Sequence, residues 1–150
     1  MPERHDRLTS VWLGLGCVAF SLAFACAAPF AGLGASAALL MGLRPMVAAV
    51  VLGWAANQAV GFGFLNYPVD GHSLAWGLAL GLSAIGAGLA AHAIRTVQPV
   101  ALCAAAAVLA AFLAQQGTVF AASLILPSHP DAFAPEVIAG LFVTNLLGFA

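Results

Sequence analysis

The sequence predicts an all-α integral membrane protein: one domain of six transmembrane helices with both termini in the cytoplasm. Three observations lead to this prediction: 63% of the 150 residues are hydrophobic, only 6% are charged, and the arginines recur at alternate breaks in the apolar pattern. Soluble domains carry about 25% charged residues. Because so little charge cannot coat a soluble globule, most side chains must face lipid.

Charge and motif content exclude several classes of function. The formal net charge is −1, with four Arg, five acidic residues and no Lys, so a nucleic-acid partner, which demands a basic face, is excluded. The H-E-x-x-H and G-x-S-x-G motifs are absent. The sequence therefore predicts neither an enzyme nor a cofactor. Its three cysteines lie in apolar runs and are interpreted as packing residues: Cys17, Cys26 and Cys103.

A spanning helix needs about 20 apolar residues, and five polar or proline-marked breaks divide this chain. The predicted helices cover residues 9–28, 30–43, 46–65, 73–94, 99–126 and 135–150. The first two come from one uncharged stretch, 8–43, which is too long for one helix and is divided at Pro29. The second would cover only about 21 Å of a core about 30 Å thick, so it is short, tilted or partly re-entrant.

The remaining breaks follow from turn chemistry. Arg44 ends the second predicted helix, and Pro45 suits the first turn of the third because proline there loses no intrahelical bond. Residues 66–72 form a turn by composition, residues 95–98 form the next break with Pro99 opening the fifth helix, and the loop 127–131 precedes the last predicted helix. An alternative interpretation makes residues 1–27 a cleaved signal peptide, although its acids balance its arginines where a positive region is expected.

Six passes through the membrane place the charged residues on opposite sides. One side carries all the arginines: Arg4, Arg7, Arg44 and Arg95. The other side carries the loop acids and two histidines: Asp70, His72, His129, Asp131 and Glu136. Because arginines accumulate in cytoplasmic loops, both termini and both arginine turns are predicted to be cytoplasmic.

Polar residues within the predicted helices form a cluster at mid-depth. Its members are Asn57 and Gln58, Gln115, Gln116 and Thr118, and Thr144 and Asn145. Polar groups in the membrane are costly and usually face a bundle interior or a cavity. These side chains are therefore either hydrogen-bonded contacts between helices or the floor of a ligand cavity, to which Asn57, Gln58 and Gln115 are assigned.

The outer loops hold a second polar cluster. Two acid and histidine pairs, Asp70 with His72 and His129 with Asp131, fall on one face with Asn66, Tyr67, Trp76 and Glu136. Imidazole and carboxylate groups are ligands for divalent metals, and they equally suit a cationic or hydrogen-bonding organic ligand. The alternative is that these residues only cap helices and anchor the membrane interface.

Small residues form stripes at a spacing of four. Ala19, Ala23 and Ala27 lie on one face of the first predicted helix, and Gly77 with Gly81 on one face of the fourth. Small residues let helix backbones approach closely in lipid. Each stripe packs either within the chain or against a partner's helix.

Taken together, the six short helices, the outer polar cluster and the alanine stripe resemble a substrate-binding S component of energy-coupling-factor (ECF) transporters. The resemblance implies a bacterial cytoplasmic membrane protein that captures a vitamin-like compound or a divalent metal from the outer face. It implies that Ala19, Ala23 and Ala27 dock a transmembrane coupling subunit that works with ATPases. It also implies that a ligand is surrounded by Asn66, Tyr67, Asp70, His72, Trp76, His129 and Asp131. The rival interpretation is an assembly subunit that binds only other proteins.

Overall fold

The computed structural model describes residues 28–96 and 100–149, and within them every regular element is a helix. There are five α-helices: α1 (Phe30–Leu40), α2 (Leu43–Gly63), α3 (Gly71–Ile94), α4 (Val100–Ser123) and α5 (Pro135–Phe149). A short 3-10 helix, Pro130–Phe133, precedes α5. The predicted all-α class is confirmed for this part of the chain.

Helices α1 to α5 match the second to sixth predicted helices, with differences at their ends. Pro45 lies in the first turn of α2 as predicted, and Arg44, which was expected to precede this helix, lies in the same turn. A backbone N–H there has no intrahelical partner, so proline is tolerated. Helix α4 ends at Ser123, three residues before the predicted end, in a turn closed by the bond from Leu126 N–H to Ala122 C=O (2.8 Å). The first predicted helix, 9–28, lies almost entirely outside the described residues, as do Arg4 and Arg7.

Three of these helices are long and apolar enough to cross a membrane: Leu43–Gly63, Gly71–Ile94 and Ala101–Ser123. Their 21 to 24 residues correspond to about 31–36 Å of helix, against a hydrocarbon core of about 30 Å. This length and composition indicate an integral membrane protein.

Helix α1 is short and occupies the centre of the bundle. Its 11 residues extend about 16 Å, which is half of a membrane core. Residues 30–38 are all buried, and the helix packs against α2, α3, α4 and α5. A helix that is apolar all round is expected to be buried. Helix α1 is therefore a half-length core helix that cannot cross the membrane alone.

Two hydrogen bonds show which loops share an end of the bundle. Arg95 Nη1 donates to Met41 C=O (3.3 Å), so the α3 terminus meets the turn before α2 at what we call the arginine end. Trp76 Nε1 donates to Pro127 C=O (3.1 Å), so the start of α3 meets the loop after α4 at the opposite, acidic end. The predicted separation of Arg44 and Arg95 from Asp70, His72, His129, Asp131 and Glu136 is confirmed.

Packing is dense in the half of the bundle nearest the arginine end. There α1 and α3 touch backbone to backbone, since a Cβ on Gly34 would lie 2.9 Å from the Gly88 nitrogen. In α4 the buried residues run from Cys103 to Gln115, and none of residues 116–123 is buried. Because α1 reaches only about half-way, the half nearest the acidic end has no such central helix among the described residues.

Candidate functional site

A cavity of about 280 Å³ lies in the acidic half, between α2, α3 and the segment that joins them. It is near the lower end of the size range of small-molecule sites, about 300–1,000 Å³. Its lining is mainly apolar and aromatic, with a few polar groups: Asn57, Gln58, Phe62, Tyr67, Pro68, His72, Ser73, Trp76, Gly77 and Leu80. Leu80 also packs against the main apolar core, so the cavity adjoins the densely packed half.

Tyr67 is held against the end of α2 by local backbone geometry. Asn66 adopts a positive φ of 54°, a conformation that asparagine tolerates better than most residues. The chain then turns back, and Tyr67 N–H donates to Gly61 C=O (3.1 Å). The ring lies so close to α2 that a Cβ on Gly61 would be 2.7 Å from Tyr67 Cδ2. The Phe62 ring contacts Tyr67 edge-on, with centroids 6.3 Å apart.

Glycines of α3 let polar side chains of α2 approach its backbone. The Gln58 amide lies directly against Gly77, and the Trp54 ring lies against Gly81, 2.8 Å from a Cβ placed there. Trp54 Nε1 also donates to Gly77 C=O (2.8 Å). The stripe formed by Gly77 and Gly81 therefore serves packing within the chain, which was the first of its two interpretations.

The start of α3 places His72, Ser73 and Trp76 on the cavity wall. Asp70 caps this helix: its Oδ1 accepts a hydrogen bond from Ser73 N–H (2.7 Å). That backbone bond, a bond from the Ser73 side chain and the nearby His72 hold the pKa of Asp70 below its usual value. The carboxylate consequently stays charged at neutral pH, two residues from the cavity-lining His72.

Half of the predicted ligand residues line this cavity. They are Asn57, Gln58, Tyr67, His72 and Trp76. Asn66 and Asp70 instead shape the segment that carries Tyr67 and His72. His129 and Asp131 pair with each other in the other loop of the acidic end, where His129 Nδ1 accepts from Asp131 N–H (3.3 Å) and both side chains are exposed. No three His, Cys, Asp or Glu side chains of the described residues come together as a metal site would require.

Three comparisons with known proteins find no match. No family model, no curated protein and no solved structure is significantly similar to this chain.

The structure places the mid-depth amides in two separate groups. Gln115 was assigned to the cavity floor, but its Oε1 accepts from Ala31 N–H (3.1 Å) at the start of α1. Asn145 Oδ1 accepts from Ala31 N–H (2.8 Å) and from Gly32 N–H (3.0 Å). These two amides therefore cap a buried helix terminus, whereas Asn57 and Gln58 line the cavity.

Five lining residues did not appear among the sequence-based candidates: Phe62, Pro68, Ser73, Gly77 and Leu80. Helical spacing could have found some of them. Phe62 follows Gln58 by four residues, and Leu80 follows Trp76 by four, so each pair shares a helix face. Pro68 had no such signal, because its position depends on the turn at Asn66.

Proposed function

We propose that this chain is a substrate-capture subunit of a membrane transporter that binds a small organic solute at its acidic end. The observation that carries the proposal is the cavity between α2 and α3, which lies above a filled core and has aromatic walls with a few polar groups. Such a lining is typical of sites that bind small molecules. The resemblance to ECF S components supports the same proposal, with a transmembrane coupling subunit and its ATPases as partners.

Charge indicates which solutes the cavity favours. Within the described residues the acidic end carries Asp70, Asp131 and Glu136, while Arg44 lies at the other end with Arg95, which is anchored to Met41. An anion would therefore meet repulsion without a basic partner. We infer that the ligand is neutral or cationic. The lack of a three-ligand cluster in the described residues favours an organic compound over a divalent metal.

The proposal places the arginine end in the cytoplasm and the acidic end outside, with α2, α3 and α4 crossing the membrane. Single cysteines at Gly71 and Ser128 should react with a membrane-impermeant maleimide from outside the cell, and one at Thr96 only after the membrane is opened. All three positions are exposed, and arginine-rich loops stay inside. The native cysteines should first be replaced by Ala. Labelling of Gly71→Cys and Thr96→Cys from the same side would contradict this topology.

Ligand-dependent thermal stability tests the capture proposal. A panel of B vitamins, with Ni²⁺ and Co²⁺, should contain a compound that raises the melting temperature of the purified protein. A ligand at 100 times its Kd stabilises the folded state by about 2.7 kcal/mol. His72→Ala should weaken the binding of that compound at least five-fold, because His72 lines the cavity.

His129→Ala is the matched control, since His129 is an exposed histidine at the same end and does not line the cavity. It should bind the compound as the wild type does. Equal loss in both histidine variants would argue against this cavity as the site. If no compound stabilises the wild type, an assembly subunit that responds only to a protein partner becomes the better interpretation.

A further inference from the structure

Helix α5 makes its closest contact with α1 near its own C-terminus. Asn145 is its single buried residue, and Gly148 packs against the Pro29 ring. Apolar side chains are exposed both in the first half of α5, where Val137 is 43% exposed, and near its C-terminus, where Leu147 is 59% exposed. Helix α5 is thus fixed at mid-depth, where α1 begins, and lies at the surface of the bundle.

A groove of about 510 Å³ lies between α4 and this first half of α5. Among the described residues, every side chain that lines the groove is apolar: Leu109, Phe112, Leu113, Pro135, Ile138, Ala139 and Phe142. The Phe112 and Phe142 rings meet edge-on, with centroids 5.0 Å apart. The groove opens sideways, since Leu109 and Leu113 are 51% and 62% exposed. It therefore faces the membrane and is separate from the cavity between α2 and α3.

The apolar lining of the groove favours a hydrocarbon occupant. An unbranched hydrocarbon chain is narrow enough to enter the groove and meets no polar group there. Close contact with the two rings adds dispersion attraction that a chain in loosely packed lipid lacks.

The charges at the acidic end of the groove indicate which lipid headgroup would bind there. Pro135 begins α5 and lines the groove, Glu136 follows it, and Asp131 lies in the 3-10 helix just before. Both carboxylates are exposed, and no arginine of the described residues lies at this end. We propose that the groove binds one acyl chain of phosphatidylethanolamine, with the lipid's ammonium group near Asp131 and Glu136.

Native mass spectrometry of protein taken from bilayers of equal phosphatidylethanolamine and phosphatidylglycerol tests this proposal. The wild type should retain one phosphatidylethanolamine in at least five-fold excess over phosphatidylglycerol. Ala139→Phe, which fills the groove, should reduce the retained lipid at least five-fold. Val143→Phe is the matched control, because Val143 is exposed on the same helix but does not line the groove; it should retain the lipid.

The headgroup requires its own variant. Asp131→Asn with Glu136→Gln should remove the preference for phosphatidylethanolamine while one lipid is still retained. Equal retention by Ala139→Phe and Val143→Phe, with both folded by thermal unfolding, would overturn the groove as the site. Equal retention of both lipids by the wild type would overturn the headgroup assignment. A dimer that Ala139→Phe dissociates would show that a second copy covers this face instead.

Discussion

Asn145→Leu is expected to lower the free energy of unfolding by about 1–3 kcal/mol. The Asn145 side chain is 1% exposed, and its Oδ1 accepts from the N–H groups of Ala31 and Gly32. Leucine fits an apolar interior but accepts neither bond. Ala31 N–H keeps its bond to Gln115, but Gly32 N–H is left without a partner. A buried N–H without a partner costs about 1–3 kcal/mol, and lipid supplies no water to replace the lost acceptor. Equilibrium unfolding in detergent micelles would measure the loss.

Two further variants are expected to lower stability less than Asn145→Leu does. Gln115→Leu should cost less than Asn145→Leu, because Ala31 N–H keeps its bond to Asn145 when Gln115 is lost. Thr144→Val should change stability by less than either, since its hydroxyl only returns to Gly140 C=O in its own helix (3.0 Å). If Thr144→Val were as destabilising as Asn145→Leu, general packing of α5 and not the cap would explain the result.

The helices were predictable because their breaks are local. Proline, arginine and turn residues mark the ends of α1 to α5, and these signals act within one turn of the chain. The exception is Arg44, which α2 includes in its first turn together with Pro45. Proline is tolerated at any of the first few positions of a helix. The sequence pattern alone therefore could not locate the start of α2 to within one residue.

The partners of polar side chains were less predictable. The sequence places Gln58 and Gln115 at similar depths in the membrane, but depth does not determine which neighbouring helix a side chain contacts. Gln115 lies over the start of α1 because the first N–H groups of that helix have no acceptor within the helix. Gln58 lies against Gly77 because only a glycine gives it room. Both outcomes depend on how helices pack, which one residue's spacing does not determine.

The two halves of the bundle differ for one physical reason, the length of α1. A helix of 11 residues fills the centre only near the arginine end, and its start must then be capped by amides within the membrane. The acidic half keeps its cavity because α1 does not reach it. The contacts of α1 that stabilise the fold and the proposed capture site therefore lie in different halves of the bundle. A variant in the α1 contacts can lower stability without removing a cavity-lining group.

Gly34→Ala is expected to destabilise the protein by about 1–3 kcal/mol, the usual cost of overpacking a well-packed core. A Cβ there would lie 2.9 Å from the Gly88 nitrogen and 3.1 Å from its Cα. Both atoms belong to backbone, which cannot rotate away as a side chain can, so α1 and α3 must move apart. Gly32→Ala should act similarly, because its Cβ would meet the Asn145 carbonyl. Thermal unfolding of each variant would measure the cost.

Gly117→Ala and Gly140→Ala are the matched controls. Both glycines lie within helices, and a Cβ at either position meets no atom of the described residues within 4 Å. Alanine favours a helix over glycine by about 1 kcal/mol, so these two variants should be neutral or slightly more stable. The same substitution is thus expected to change sign between the buried and the open positions. Equal destabilisation at all four would mean that glycine acts through chain flexibility, and the close contact of α1 with α3 would lose its assigned role.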